Sequence, residues 1–503
     1  MPKTSHSATV AILLLFGGVA SAQTWDRFRG PNGSGVADVA ALPAEFGPDR
    51  NVLWKTQLPA GHSSPILDAE RLYLTAAEGD DLFTIALDRE NGDVLWRRPS
   101  PRPRAEKLDS RNHPASPSPA TDGEVVVVFF PDFGLLAYDT KGEQLWSRAL
   151  GPFNNIYGMG ASPILAGDLV LLACDQSAGS FFIALDRRTG EVRWRMDRPE
   201  AKSGHCTPIL WRPEGGATQA LLPGSFLLTS YAVETGEKLW WVGGLSFEMK
   251  STPVMTADTL YINGYGSPAN HPDRTIEVAP FAEMLAALDA DGDGRLGRRE
   301  LPREHGGFWF DACDLDSSGA LDETEWDYYR AVRASKNGML AVTLGGKGEM
   351  TATAVQWQYH RAVPQLPSPL LYGGALYMIN DAGIATSFDP ASGEVIAQGR
   401  LPEVTDNFYA SPVAGDGKVY FVSETGKVVV LPPGGRFDEA IAVNDMGDLC
   451  YATPALAEGR IYLRAGETLY CFGRARDRSG DLDQLDIVND ALARQRMIGV
   501  ERD

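Results

Sequence analysis

Cysteine is scarce: Cys174, Cys206, Cys313, Cys450 and Cys471 are far apart, odd in number and include no CxxC or adjacent pair. At least one therefore stays unpaired within the monomer, in a compartment where disulfides form. Cys174, Cys206 and Cys471 lie in apolar strand-like stretches and are expected as small buried hydrophobes. Positive charge is outweighed, 46 Lys and Arg against 66 Asp and Glu, and a net charge of -20 repels a phosphate backbone, so nucleic acid is not an expected partner. No H-E-x-x-H, G-x-S-x-G or Walker loop occurs. Long apolar runs are also missing. The one from Ala8 to about Ala20 falls short of the roughly 20 residues that span a bilayer. It ends in Ala20, Ser21 and Ala22, the pattern of a secretory signal (residues 1–22) cleaved before Gln23. No Cys follows that point to carry a lipid, so the expected product is periplasmic or secreted, unlipidated and without a transmembrane segment.

Glycine and proline, in contrast, are plentiful at 53 and 33 residues, and 44% of the chain is hydrophobic, a composition of many turns around a large core. The turns recur. A Ser-Pro or Thr-Pro pair before an apolar stretch places Pro65, Pro119, Pro163, Pro208, Pro253, Pro369, Pro412 and Pro454 at separations of 54, 44, 45, 45, 116, 43 and 42 residues. The unit is about 44 residues, a propeller blade's length, and the fifth unit carries an insertion of about 70. Each unit predicts four short strands, with a regular third turn: Asp88 to Gly92 before Trp96, Asp139 to Gly142 before Trp146, Asp186 to Gly190 before Trp194, and Gly236 before Trp240. One Trp per unit at a fixed position, Trp357 included, points to packing between blades. Asn51 to Leu58, with Trp54, is a fourth strand lacking its first three, whereas the unit from Thr453 to Cys471 lacks its fourth. The expected fold is all-β: an eight-bladed propeller over residues 51–473 whose N-terminal strand completes the C-terminal blade. A leader (23–50) precedes it and a tail (474–503) follows.

These units resemble the pyrroloquinoline-quinone (PQQ)-type propeller repeats shared by quinoprotein dehydrogenases and by the propeller lipoprotein of the outer-membrane protein assembly machinery. The stretch from Trp25 to Gly35 resembles the leader of many secreted bacterial members. Units six and seven depart from the pattern: Ala397 stands where a Trp is expected, and Pro-Pro-Gly-Gly follows Leu431. In the dehydrogenases the resemblance implies two adjacent cysteines over the quinone and a Glu, Asn and Asp set around its calcium. Neither is matched here, so PQQ stays open as a cofactor without motif support, and quinone-dependent oxidation and envelope assembly stand as the alternatives.

Between the second and third strands of unit five lie two matches to the loop D-x-[DN]-x-[DNS]-G-x5-E, which binds Ca²⁺ through oxygens at positions one, three, five, seven, nine and twelve. The first offers Asp289, Asp291, Asp293, the Arg295 carbonyl and Glu300; the second offers Asp314, Asp316, Ser318, the Ala320 carbonyl, Asp322 and Glu325. Leu296 and Leu321 occupy position eight, where paired EF-hand loops make a short cross-strand contact. Phe281 to Leu288 and Thr324 to Ser335 predict flanking helices. A small helical EF-hand insertion in blade 5 (265–337) follows as the expectation, with Ca²⁺ as its metal.

In a propeller, the second-to-third connection lies on the same face as the link between blades, so the insertion is expected beside the funnel. The residues two before each repeat Ser or Thr are then expected to ring the mouth: His62, Ser116, Gly160, His205, Lys250, Leu366, Tyr409 and Tyr451. His62, His205, Lys250, Tyr409 and Tyr451 are the candidate binding groups for an anionic or planar ligand. The functional expectation is a non-catalytic scaffold that takes a protein, a small molecule or a polysaccharide at this face.

Overall fold

The computed structural model describes residues 24–305 and 308–474. The expected signal (1–22) and nearly all of the expected tail lie outside the described residues. Eight sheets follow one another along the chain, antiparallel except for a short parallel edge strand, Gly348–Glu349, on the fourth. Blade 1 runs from Ile66 to Ser100, blade 2 from Ala120 to Ala149, blade 3 from Ile164 to Asp197 and blade 4 from Ile209 to Val242. Blade 5 spans Val254 to Tyr359, blade 6 Leu370 to Arg400 and blade 7 Val413 to Asp445. Blade 8 joins three strands between Ala455 and Phe472 to β1, Val52–Gln57. β1 pairs antiparallel with Thr468–Phe472, with Lys55 opposite Tyr470 and Gln57 opposite Thr468, so the ring closes as the unpaired fourth strand required.

Position within a blade explains the strand sequences. Second strands such as Val125–Phe130 are buried at every residue, because both sheet faces are covered by neighbouring blades. Outer strands such as Gln144–Ala149 bury mainly Trp146. Each such Trp reaches the next blade's third turn. Trp54, Trp96, Trp146, Trp194 and Trp357 donate their indole N–H to the carbonyls of Arg89, Thr140, Arg187, Val233 and Pro390 at 2.8 to 3.1 Å. The turn glycine lies flat against the indole: a Cβ on Gly142 would sit 2.7 Å from the Trp96 ring, at a φ of +83°. These glycines thus supply both the positive φ of the turn and the missing Cβ under the Trp. Trp240 differs, bonding Gln219 of its own blade at 3.0 Å. At the blade 6 to 7 junction both partners change together: Ala397 replaces the Trp, and Gly435 instead meets the Ser387 hydroxyl and the Tyr377 phenol of blade 6.

The repeat Ser and Thr have a structural task. Backbone N–H groups of Ser64, Ser118 and Ser162 donate to the hydroxyls of Ser118, Ser162 and Thr207; those of Thr252, Ser368, Ser411 and Thr453 donate to Ser368, Ser411, Thr453 and Ser64. Seven bonds of 2.9 to 3.1 Å latch blade to blade around the axis. The gap is at Thr252, whose buried hydroxyl has no partner.

The leader is part of the propeller. Trp25 bridges to Leu67 of blade 1, Asp26 accepts from Thr121 of blade 2, and Asn32 exchanges two 2.8 Å bonds with Leu210 of blade 4. Arg27 donates to the Pro208 carbonyl, and Arg29 to those of Ser368 and Pro369. Gly35 and Ala37 pair with Ala414 of blade 7. This segment therefore crosses under the axis, touching blades on opposite sides of the ring.

The insertion leaves Gly264 and returns at Gly338, residues paired with each other in blade 5. It contains helices α1 (Phe281–Leu288), α2 (Phe308–Cys313) and α3 (Glu323–Ala334). Only six residues form α2, as a linker containing Pro302 allows. Leu296 pairs with Leu321 in a two-stranded bridge between the two acidic loops. Leu296, Leu321, Phe310, Trp326 and Tyr329 form a separate small core that includes Phe247 of the propeller. All five cysteines are buried and unpaired.

Candidate functional site

All eight residues two before the repeat Ser or Thr line one axial cavity of about 200 Å³. It narrows onto the hydroxyl ring, seven members of which form its lower wall, and Phe28 of the leader closes its base. The cavity is therefore a blind funnel. The Ser/Thr-Pro repeat explains the convergence: once the latch hydroxyls encircle the axis, residues two positions earlier must ring the opening.

One side of the mouth is aromatic. His62 stacks on Tyr451 at 4.2 Å between centroids, and Tyr451 lies parallel to Tyr409 at 5.8 Å and 4°. His113 extends the stack behind His62 at 5.0 Å. The opposite side carries the charges, already paired. Lys250 Nζ is 2.6 Å from the buried Glu248 carboxylate and 5.2 Å from the Tyr157 ring centre. Arg111 Nε donates to Asp109 at 2.7 Å and holds that carboxyl below its ordinary range. Among the described residues Asp109 is the only carboxylate on the cavity lining.

Sequence reasoning missed Asp109, Arg111, Asn112, Tyr157, Gln365 and Phe28. A signal existed for the first three: the separation of 54 between Pro65 and Pro119 exceeds the usual unit by ten, and these residues sit in that lengthened link. The remaining three lie in non-repeating segments, where period carries no information.

Burial pushes the imidazoles of His62 and His205 down to about 3 and that of His113 to about 4. Lys250 acts in the same direction on His205. The mouth is thus lined by neutral rings at pH 7. An unfolded histidine takes its proton near pH 6.5, so below that value the unfolded chain binds more protons and stability falls as pH is lowered toward about 3. Replacing His205 by Gln is expected to remove about one proton from the pH dependence of the urea midpoint between pH 6.5 and 4.5. An unchanged slope in H205Q would show that this imidazole titrates normally in the fold.

The insertion abuts the same face, as its place between second and third strands requires. Phe247, in the link before blade 5, packs edge-on against Trp309 at 5.7 Å, and Phe226 against Tyr328 of α3 at 6.0 Å. Within the insertion two acidic clusters bring oxygens within 4.8 Å of one another: Asp289, Asp291 and Asp293, and Asp314, Asp316 and Glu325. Glu300 folds back to accept from Ala290 and Gly297 at 2.8 and 2.7 Å, closing the first loop. Glu325 does the same for Leu315 and Asp322 at 2.7 and 3.0 Å. The Ser318 hydroxyl donates to the Ala320 carbonyl at 2.9 Å, and Asp322 caps α3 by accepting from Glu325 N. The Arg295 side chain, whose carbonyl is a first-loop candidate, lies 3.5 to 3.8 Å from Asp316, Asp322 and Glu325 of the second loop.

An eight-bladed ring with Ser/Thr latches, Trp-on-Gly contacts and an axial funnel defines a PQQ-like propeller. The family model described as outer membrane protein assembly factor BamB matches residues 32–207 and 182–479, and the chain belongs to that family. Among solved structures, BamB from Moraxella catarrhalis is 12% identical with a TM-score of 0.51, covering 84% of this chain and 98% of its own. A europium-containing methanol dehydrogenase is 9% identical with a TM-score of 0.56, covering 90% and 98%. Quinohemoprotein alcohol dehydrogenase ADHIIG from Pseudomonas putida HK5 is 13% identical with a TM-score of 0.51, covering 90% and 81%. At these identities the likeness is one of fold. No curated protein matches the sequence.

Proposed function

We propose that this chain is an exported, non-catalytic binding scaffold that takes its ligand at the funnel mouth, braced by an insertion of paired EF-hand loops that hold Ca²⁺. The observation that carries this is the meeting of all eight rim positions on one blind cavity whose charged groups are already neutralised by neighbours. Such a wall offers stacking faces and hydrogen bonds, the means of recognition rather than of proton transfer.

The funnel does not fit a quinone with its metal. Among the described residues its one lining carboxylate, Asp109, is held by Arg111 on both oxygens, leaving no acidic set there for a metal beside the axis. In the insertion, by contrast, the ligand set suits a hard cation: Asp289, Asp291, Asp293, the Arg295 carbonyl and Glu300 in one loop, and Asp314, Asp316, Ser318, the Ala320 carbonyl, Asp322 and Glu325 in the other.

Calorimetry of the mature protein tests the calcium reading. Millimolar Ca²⁺ is expected to raise the melting temperature over a chelated sample, with an affinity of about 10⁻⁴ to 10⁻³ M. The E300Q/E325Q variant is expected to lose that shift. Equal melting with Ca²⁺ and chelator would end the reading. Dye reduction on adding PQQ, Ca²⁺ and alcohols or sugars would favour a dehydrogenase instead. The family match favours a second reading, a partner in envelope assembly, which recovery of outer-membrane assembly proteins with the tagged chain would support.

A further inference from the structure

The lower wall and base of the funnel carry features that the mouth does not explain. Ser64, Ser118, Ser162, Thr207, Ser368, Ser411 and Thr453 line the cavity, and each hydroxyl oxygen accepts a backbone N–H from an adjacent blade. Among the described residues none of these hydroxyls donates to a protein acceptor, so each retains a proton for whatever occupies the axis.

Charge beneath the ring has the matching sign. The leader places Arg27 and Arg29 on either side of Phe28 in sequence, with 4% and 0% of their surface exposed. Among the described residues Arg29 has only carbonyl partners, Gly33, Ser34, Ser368 and Pro369, and no carboxylate. Arg27 donates to the Pro208 carbonyl, and among the described residues its Nε has no hydrogen-bond partner. The adjacent Asp26 supplies a charge that acts on Arg27; it carries an unpartnered buried oxygen, and burial holds its carboxyl above the ordinary range although Arg27 draws it down. Two buried cations without a full counter-charge are costly in a low-dielectric interior unless an anion lies nearby.

We propose that the funnel floor is an oxyanion site, in which a carboxylate, sulfate or phosphate group on the axis accepts from the hydroxyl ring in the field of Arg27 and Arg29. The group arrives either as a free inorganic ion or on a ring-shaped ligand, such as an acidic sugar, whose face lies against Tyr409 and Tyr451. This deepens the reading of the funnel as the ligand site. Its failure is separable from that reading, because a mouth ligand without an anionic group would still respond to Tyr409→Ala.

The test uses the intact mature protein with three probes, sodium sulfate, glucuronate and glucose, at ionic strength matched with sodium chloride. Sulfate and glucuronate are expected to raise the melting temperature saturably and glucose to leave it unchanged. Sulfate alone acting identifies the free ion; glucuronate acting more strongly identifies the ring-borne group. In S411A the sulfate dissociation constant, read by titration calorimetry, is expected to rise about tenfold, as for one lost hydrogen bond to a charged group. Wild-type crystals soaked in selenate give a readout independent of any variant: an anomalous peak within hydrogen-bond reach of the ring hydroxyls. Selenate confined to the outer surface, no saturable shift with either anion, or a glucose effect equal to that of glucuronate would overturn the proposal.

Discussion

A chain beginning at Pro59 will not fold to a cooperative monomer, and supplying residues 23–58 as a separate peptide will restore one. The missing segment carries β1, the fourth strand of blade 8, and with it the pairing from Val52 to Gln57 along Thr468–Phe472. It also removes Trp54, which fills the junction between blades 8 and 1 and donates to Arg89, and Phe46, whose ring lies 4.7 Å from that of Phe472. Losing one buried Trp costs about 3–5 kcal/mol, and a whole domain is stable by only about 5–15 kcal/mol. Exposing Thr468–Phe472 as a bare edge adds a tendency to associate. Gel filtration and urea unfolding followed by tryptophan fluorescence measure the outcome. A truncated chain with the full-length urea midpoint would show that neither leader nor closing strand supports the ring.

Asp175→Asn is expected to cost about 3–5 kcal/mol, because it leaves a fully buried guanidinium without its counter-charge. Arg198 Nε and Nη2 lie 2.8 and 3.0 Å from the two Asp175 oxygens, and Nη1 donates to Tyr231 at 2.7 Å, with both charged side chains at most 3% exposed. The site has no slack. A Cβ on Gly224 would lie 2.2 Å from Arg198, and one on Gly204 would lie 3.0 Å from Asp175. Gly204 adjoins His205, so the pair also fixes the segment that brings this imidazole to the mouth. Replacing both members, Asp175→Leu with Arg198→Met, is expected to recover most of the loss, since the double variant buries no unpaired charge. Urea denaturation of the two variants measures this. A single variant costing under about 1 kcal/mol, or a double variant no better than the single, would show that the pair does not carry charge into the core.

What was legible in the sequence was whatever repeats. The Ser/Thr-Pro period located eight blades and, through positions two residues earlier, eight cavity-lining residues. The Gly-to-Trp spacing marked the inter-blade contact, although its second half, the indole resting on the next blade's glycine, joins residues about 45 apart and needs coordinates to be seen. The acidic loops were legible because their carboxylates lie close together in sequence, and the Leu296 to Leu321 bridge follows from loop position. The charge pairing at the mouth was hidden, since Glu248, Asp109 and Arg111 sit in inter-blade links of unequal length. Equally hidden was the leader's path under the axis: Arg27 and Arg29 resemble ordinary surface arginines until the closed ring makes them its base.

Every inferred site depends on ring closure through the two ends of the propeller sequence, and an engineered disulfide tests that directly. Lys55 and Tyr470 face each other across the closing pair, and antiparallel partners lie about 4.5–5.5 Å apart at Cα, within the range a disulfide spans. Oxidised K55C/Y470C protein is expected to be a monomer with one intramolecular bond between these positions, mapped by peptide mass spectrometry, and with a raised melting temperature. Cysteines that stay reduced, or that link only different chains, would contradict the closed eight-bladed ring.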